Sequence, residues 1–283
     1  MTESTEQRTE QRTEAEADTS AGAEPIILAE GLTKTFTAYK RAGRLRRERS
    51  DFTAVDHIDL RVAPGELVGY IGPNGAGKST TIKMLTGILT PTSGRLRVAG
   101  FEPQRERVRL ARRIGVVFGQ RTTLWWDLPL KDSFTLLQRL YKIPLDTYAA
   151  NLEYYIEALD LGPFLDRPVR QLSLGQRMRG DITAALLHDP AVVYLDEPTI
   201  GLDVVSKHAV REFLRDLNQR TGATILLTTH DIDDIERLCS RVVAIDHGRV
   251  AYDGPLDELR ADRDLETVVR ELYTGRSLVD TTG

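Results

Sequence analysis

The nonapeptide GPNGAGKST, Gly72 to Thr80, constrains this chain more than any other stretch. It follows a short apolar run, GELVGYIG, and precedes KSTTIKMLTGIL, where Ile82, Leu85 and Leu89 recur at helical spacing. A glycine-rich turn between a strand and a helix is the setting of a phosphate loop. Gly72, Gly75 and Gly77 let backbone N–H groups curl around phosphate oxygens, with Pro73, Asn74, Ala76 and Thr80 completing the cradle. Lys78 reaches the outer phosphates, and the Ser79 hydroxyl is placed to ligate Mg²⁺.

Two later runs, AVVYLDEP and ATILLTTH, read as strands buried on both faces, and the helical pattern SKHAVREFLRDLNQR lies between them. Buried strands alternating with helices predict an α/β fold with a parallel, doubly wound sheet. Ligands collect at the carboxyl ends of such strands. Asp196 ends the first run and is a candidate Mg²⁺ carboxylate, and Glu197 is a candidate to orient or deprotonate an attacking water. His230 ends the second run, where it would meet a terminal phosphate. Gln120, after the apolar run GVVFG, is a further candidate to ligate Mg²⁺ and sense its site.

Around this centre the organisation is uneven. Residues 1–24 are repetitive and polar without an apolar face, which predicts a disordered tail. The strand-like IILAEGLTKTFTAYK leads into six basic residues between Lys40 and Arg49, read as a solvated insertion between edge strands or a contact for anionic headgroups. Between about 128 and 179 the strand signal disappears, predicting an inserted helical subdomain. RVVAIDHGRVAYDG reads as a strand pair turning at His247–Gly248, followed by a polar helix and a helical tail over 256–283. No run reaches the roughly 20 apolar residues of a spanning helix. The net charge of −4 argues against nucleic acid as main partner. The single cysteine, Cys239, has no internal disulfide partner and reads as packing.

Taken in order, GPNGAGKST, Gln120, LSLGQ, VVYLDEPT, GLD and His230 resemble the ATP-binding subunit of an ABC transporter, over roughly residues 26–254. The resemblance implies a P-loop ATPase lobe over residues 25–255, with a mainly parallel sheet, a small antiparallel β region and a helical subdomain. It implies ATP and Mg²⁺ as ligands, a second ATPase subunit (an identical copy or a paralogue) and transmembrane permease subunits as partners, and a place on the cytoplasmic face of the membrane. Phe36 falls where the family stacks an aromatic on adenine, with Tyr39 as a nearby alternative. Gln120 matches the family's Q-loop glutamine, Glu197 its catalytic carboxylate, Asp203 its D-loop aspartate and His230 its switch histidine.

The resemblance also gives a purpose to RQLSLGQRMRGD, where a serine and a glycine stand ahead of a charged helix whose first turn has unpaired N–H donors. In the family these residues bind ATP held by the opposite subunit, so Ser173, Gly175 and Gln176 would complete a neighbour's site. Leu174 departs from the family's commoner glycine at that place, which requires ordinary backbone angles there, while Gly175, nearer the helix start, is retained. The segment QRTTLWWDLP follows Gln120 where the family receives a helix from its permease; Trp125 and Trp126 suit docking there or packing in the core. These stretches are more similar to exporter ATPases than to import subunits. Two other readings, an ATPase acting on ribosomes or DNA and a phosphoryl-transfer kinase, lack respectively a second cassette or coiled coil and a use for Ser173 to Gln176.

Overall fold

The computed structural model describes residues 24–41, 47–119, 121–261 and 263–274. The predicted tail over 1–24 therefore falls, except for Glu24, outside the described residues, as do Gln120 and the tip of the basic segment. The described strands are β1 (Ile27–Arg41), β2 (Arg47–Val62), β3 (Leu67–Ile71), β4 (Ser93–Val98), β5 (Ile114–Phe118), β6 (Val192–Asp196), β7 (Thr224–Thr228), β8 (Arg241–Asp246) and β9 (Arg249–Pro255). The α-helices are α1 (Lys78–Leu85), α2 (Arg107–Ala111), α3 (Leu130–Tyr141), α4 (Leu145–Ala158), α5 (Leu174–Leu186), α6 (Val204–Thr221), α7 (Ile232–Leu238), α8 (Leu256–Arg260) and α9 (Leu265–Thr274).

The main sheet has the order β5-β6-β7-β3-β8-β9. All its pairs are parallel except β8–β9, the predicted strand pair, which is antiparallel. Period-2 alternation divides each central strand between two cores. Val68 and Tyr70, Val192 and Tyr194, Leu226, and Val243 and Ile245 face one core. Leu67 and Ile71, Val193 and Leu195, Ile225 and Leu227, and Val242 and Ala244 face the other. Both faces are covered, which explains why these strands read as unbroken apolar runs.

A three-stranded antiparallel sheet, β2-β1-β4, and α1 close over the first core. The helices over 130–186 cover the second, where Phe134, Phe164, Val169 and Ile182 are buried. The helix signal predicted between about 128 and 179 continues through α5 to Leu186. In the described parts of the basic segment the strands continue, β1 and β2 pairing Lys40 with Glu48 and Arg41 with Arg47. The end of the chain is less polar than read, because Leu256, Leu259, Leu265 and Val268 on α8 and α9 are buried against the second core. Cys239 packs at the end of α7, and burial pushes its thiol pKa up, so it is inert as a nucleophile.

Candidate functional site

β3 lies between β7 and β8, so the loop leaving it emerges at the carboxyl edge beside the ends of β6 and β7. That loop enters α1 through Gly77, whose φ of 111° only glycine adopts freely and whose added Cβ would lie 2.5 Å from the Ala54 carbonyl oxygen. No side chain caps α1, and its first turn carries no acid, so its free N–H groups and dipole end face the loop. The Lys78 ammonium is folded back, donating to the carbonyl oxygens of Gly72 and, at 3.2 Å, Pro73. Its burial pushes the Lys78 pKa down, while Glu197 and Asp196 push it the other way.

An open cleft of about 770 Å³ lies over this turn. Pro73, Asn74, Gly75, Gly77, Lys78, Ser79 and Thr80 form one wall, and Asp196, Glu197 and His230 another. Gly72 and Ala76 stand behind that wall: the first supplies a carbonyl to Lys78, and the second is buried, its carbonyl accepting from the Gly248 N–H at 2.9 Å. Phe36 lines the cleft from β1. Phe52 stands opposite it in the hairpin register and is also exposed in the cleft, so two aromatic rings are on offer where one was expected. Tyr39, the alternative, lies further along β1 opposite Arg49. Arg121 lines the cleft too.

The Thr228 hydroxyl donates to Asp196 Oδ1 at 2.6 Å, which fixes that carboxylate at the cleft edge. Glu197 has φ +58°, a left-handed angle unusual for a side-chain-bearing residue, and its N–H donates to the Thr228 carbonyl at 3.0 Å. This backbone turn brings the Glu197 carboxylate within 3.1 Å of His230 Nε2. Burial pushes the Glu197 pKa up; His230 and Lys78 pull it down, and Asp196 adds to the rise.

Behind the pair lies a polar knot that sequence reading missed. The fully buried Asp234 of α7 accepts from the hydroxyls of Thr199 and Thr229, the latter at 2.9 Å, and from Arg211 Nε of α6. Thr199 lies two residues after Glu197 and Thr229 one before His230, so this knot holds both turns in register.

Ser173, Gly175, Gln176 and Asp203 do not line the cleft. They gather at the starts of α5 and α6. Ser173 caps α5: its Oγ accepts from the Gln176 N–H at 3.2 Å, and Gln176 Oε1 accepts from the Ser173 N–H at 3.0 Å. α5 begins at Leu174, ahead of Gly175, so the leucine is the first helical residue, with ordinary angles as expected. A Cβ at Gly175 would stand 2.8 Å from Ser206 Oγ, whose hydroxyl donates to Asp203 Oδ2 at 2.7 Å. Bonds from Ser206 hold the Asp203 carboxyl below the usual carboxylate range.

The chain thus carries a glycine-rich turn beside an acid–histidine pair, and separately a helix start capped by Ser173. Comparison with known proteins gives this arrangement its class. Residues 55–200 match the family described as ABC transporter. The ABC transporter ATP-binding protein NatA of Bacillus subtilis (strain 168) is 34% identical over 216 residues, 76% of this chain and 87% of that protein. The Nod factor export ATP-binding protein I of Cupriavidus metallidurans is 39% identical over 238 residues, 84% of this chain and 77% of that one. A dimeric post-hydrolysis state of the ATP-binding cassette MJ0796, bound to ADP and Pi, superposes with a TM-score of 0.70 at 26% identity, covering 81% of this chain and 98% of the cassette. The chain belongs to the ABC transporter family and is an ATP-binding, ATP-hydrolysing subunit of such a transporter.

Proposed function

We propose that two copies of this subunit, or one copy and a paralogue, clamp Mg²⁺–ATP between them and thereby drive a separate permease in the direction of export. The observation that carries the reading is the Glu197–His230 pair, 3.1 Å apart, facing the cradle over Lys78. Adenine stacks on Phe36, with Phe52 beside it, and the loop N–H groups and Lys78 hold the phosphates. Among the described residues no three or more His, Cys, Asp or Glu side chains form a metal cluster. Ser79, Asp196 and Gln120 would hold a Mg²⁺ ion beside the phosphates, where it would neutralise their charge. Glu197 takes a proton from the water that attacks the terminal phosphorus, and the bond to the ADP oxygen breaks as the new P–O bond forms. His230 holds the Glu197 carboxylate and meets the transferred phosphate.

Ser173, Gly175, Gln176 and Asp203 complete the neighbour's site. The ligand's charge is neutralised from both sides only on closure, and hydrolysis removes the tie. The partial exposure of Trp125 and Trp126, after Gln120, favours permease docking over core packing. Export is supported by relatives named for Nod factor export and daunorubicin resistance. A solved relative belongs to a transporter complex, cbiONQ, and by analogy the cassette works at the cytoplasmic face of the membrane. Residues 25–255 form the cassette in this reading, with a helical subdomain at about 128–179 and a helical tail at 256–283.

The test is Glu197→Gln. It keeps ATP binding and ATP-driven pairing, and its turnover falls by about 10²- to 10⁴-fold in a steady-state phosphate-release assay. Turnover at the parent rate would remove Glu197 from the role.

A further inference from the structure

The loop bearing the two tryptophans is fastened to the helix that Ser173 caps, and the principal fastening is a buried acid. Asp181, in the middle of α5, is 6% exposed. Its Oδ1 accepts from the Thr122 hydroxyl at 2.8 Å, the Thr123 N–H at 3.0 Å and the Thr123 hydroxyl at 3.4 Å. Beside it, a Cβ on Gly180 would come within 2.9 Å of Leu130 Cδ1 and 3.1 Å of Leu124 Cδ1, so loop and helix pack without a gap. One turn earlier the Arg177 guanidinium lies 5.7 Å from the centre of the Trp126 ring. Ahead of the helix, the Arg170 N–H donates to the Trp126 carbonyl at 3.0 Å, and its guanidinium meets Asp127 at 2.6 Å.

Burial pushes the Asp181 carboxyl up to about 6, against the pull of the Thr122 and Thr123 donors. Packing alone would not require an acid here, since a buried polar group costs free energy that an apolar side chain would avoid. What the Asp181 side-chain oxygen secures, through its three accepted hydrogen bonds, is the position of Thr122 and Thr123, at the root of the tryptophan loop.

We propose that Asp181 is a positioning residue that makes the Trp125–Trp126 loop and the Ser173 helix move as one piece. A partner seated on the tryptophans then acts on Ser173, at the neighbour's nucleotide, and closure on that nucleotide is felt at the tryptophans. This rests on the reading above, that Ser173 completes the neighbour's site.

The chain contains two tryptophans, and both lie on this loop, so intrinsic emission reports its state without a label. The experiment uses the full-length chain in the Glu197→Gln background, with Mg²⁺–ATP as probe. Sedimentation follows pairing, and acrylamide quenching follows tryptophan accessibility. With Asp181 in place, ATP pairs the chains and changes the quenching. With Asp181→Ala pairing persists, but the ATP-driven change in quenching is lost. Asp181→Asn retains an oxygen acceptor for Thr122 and Thr123 and retains the change. A full quenching change in the Ala variant overturns the proposal, as does loss of pairing and quenching together in both variants. If ATP pairs none of the chains, the Ser173 reading fails instead, and the pin is judged without nucleotide. Asp181→Ala then raises the unpinned, quencher-accessible fraction by about tenfold, the ratio carried by an ordinary hydrogen bond lost with its acceptor, while Asp181→Asn does not. Equal quenching in all three chains would overturn it.

Discussion

Glu197 combines a left-handed backbone angle, partial burial and a histidine neighbour, and each bears on when it can accept a proton. Burial raises its pKa, and only the ionised form can serve as base. The kcat/KM for ATP should therefore fall toward acid pH with an inflection above the ordinary glutamate value of about 4.3. His230 is the strongest downward pull, so His230→Ala should move that inflection to higher pH while lowering the plateau. An unmoved inflection would deny that Glu197 is the titrating base. The sign also separates this effect from unfolding. A carboxyl whose folded pKa is raised adds stability below its unfolded value and loses it as pH rises through the folded one, so acid does not weaken the fold at this group. At this scale, residues inside contiguous motifs were legible: Lys78, Asp196, Glu197 and His230 share one cleft. Phe52, Arg121, Thr228 and Asp234 were not, because their roles depend on partners far along the chain and on no local spacing.

The start of α5 separates two functions of one side chain. Ser173 Oγ accepts from the Gln176 N–H, which leaves its own proton free to donate elsewhere. Ser173→Ala should cost about 1 kcal/mol of unfolding free energy through loss of the cap. Ser173→Asp keeps a capping acceptor and should keep that stability in urea titrations. Yet it sets a negative charge against the neighbour's phosphates and should abolish ATP-driven pairing. Pairing by the Asp variant at parental ATP concentrations would confine Ser173 to a cap. The elements were readable to different depths. β3, β6 and β7 announce themselves because both faces are buried, and α5 because its cap pattern is local. The reach of the β1–β2 hairpin is not announced: residues 36–38 and 51–53 are exposed on both faces, and the irregularities between Ala29 and Thr35 shift the register. No alternation therefore predicts that Phe36 meets Phe52.

On the scale of the whole molecule, the proposed function gives each protomer two unlike half-sites. Ser173, Gly175, Gln176 and Asp203 are absent from the lining of the cleft over Lys78, and in that reading the second half of the site comes from a neighbour. A two-fold pairing makes both composite sites at once. This arrangement predicts complementation between two inactive variants. Lys78→Ala damages the cradle of its own protomer, and Ser173→Arg damages the site of its neighbour. In any dimer that either variant forms alone, both sites are defective. Mixed in equal amounts, half of the dimers are hybrids, and in each hybrid the intact Lys78 of one protomer faces the intact Ser173 of the other. One site in two is restored in half of the dimers, so ATP hydrolysis should return to at most about a quarter of the parental rate. Specific activity of the parent should likewise rise with protein concentration until pairing saturates. If the mixture stayed as inactive as its components while sedimentation showed hybrids forming, the two halves would not belong to one shared site.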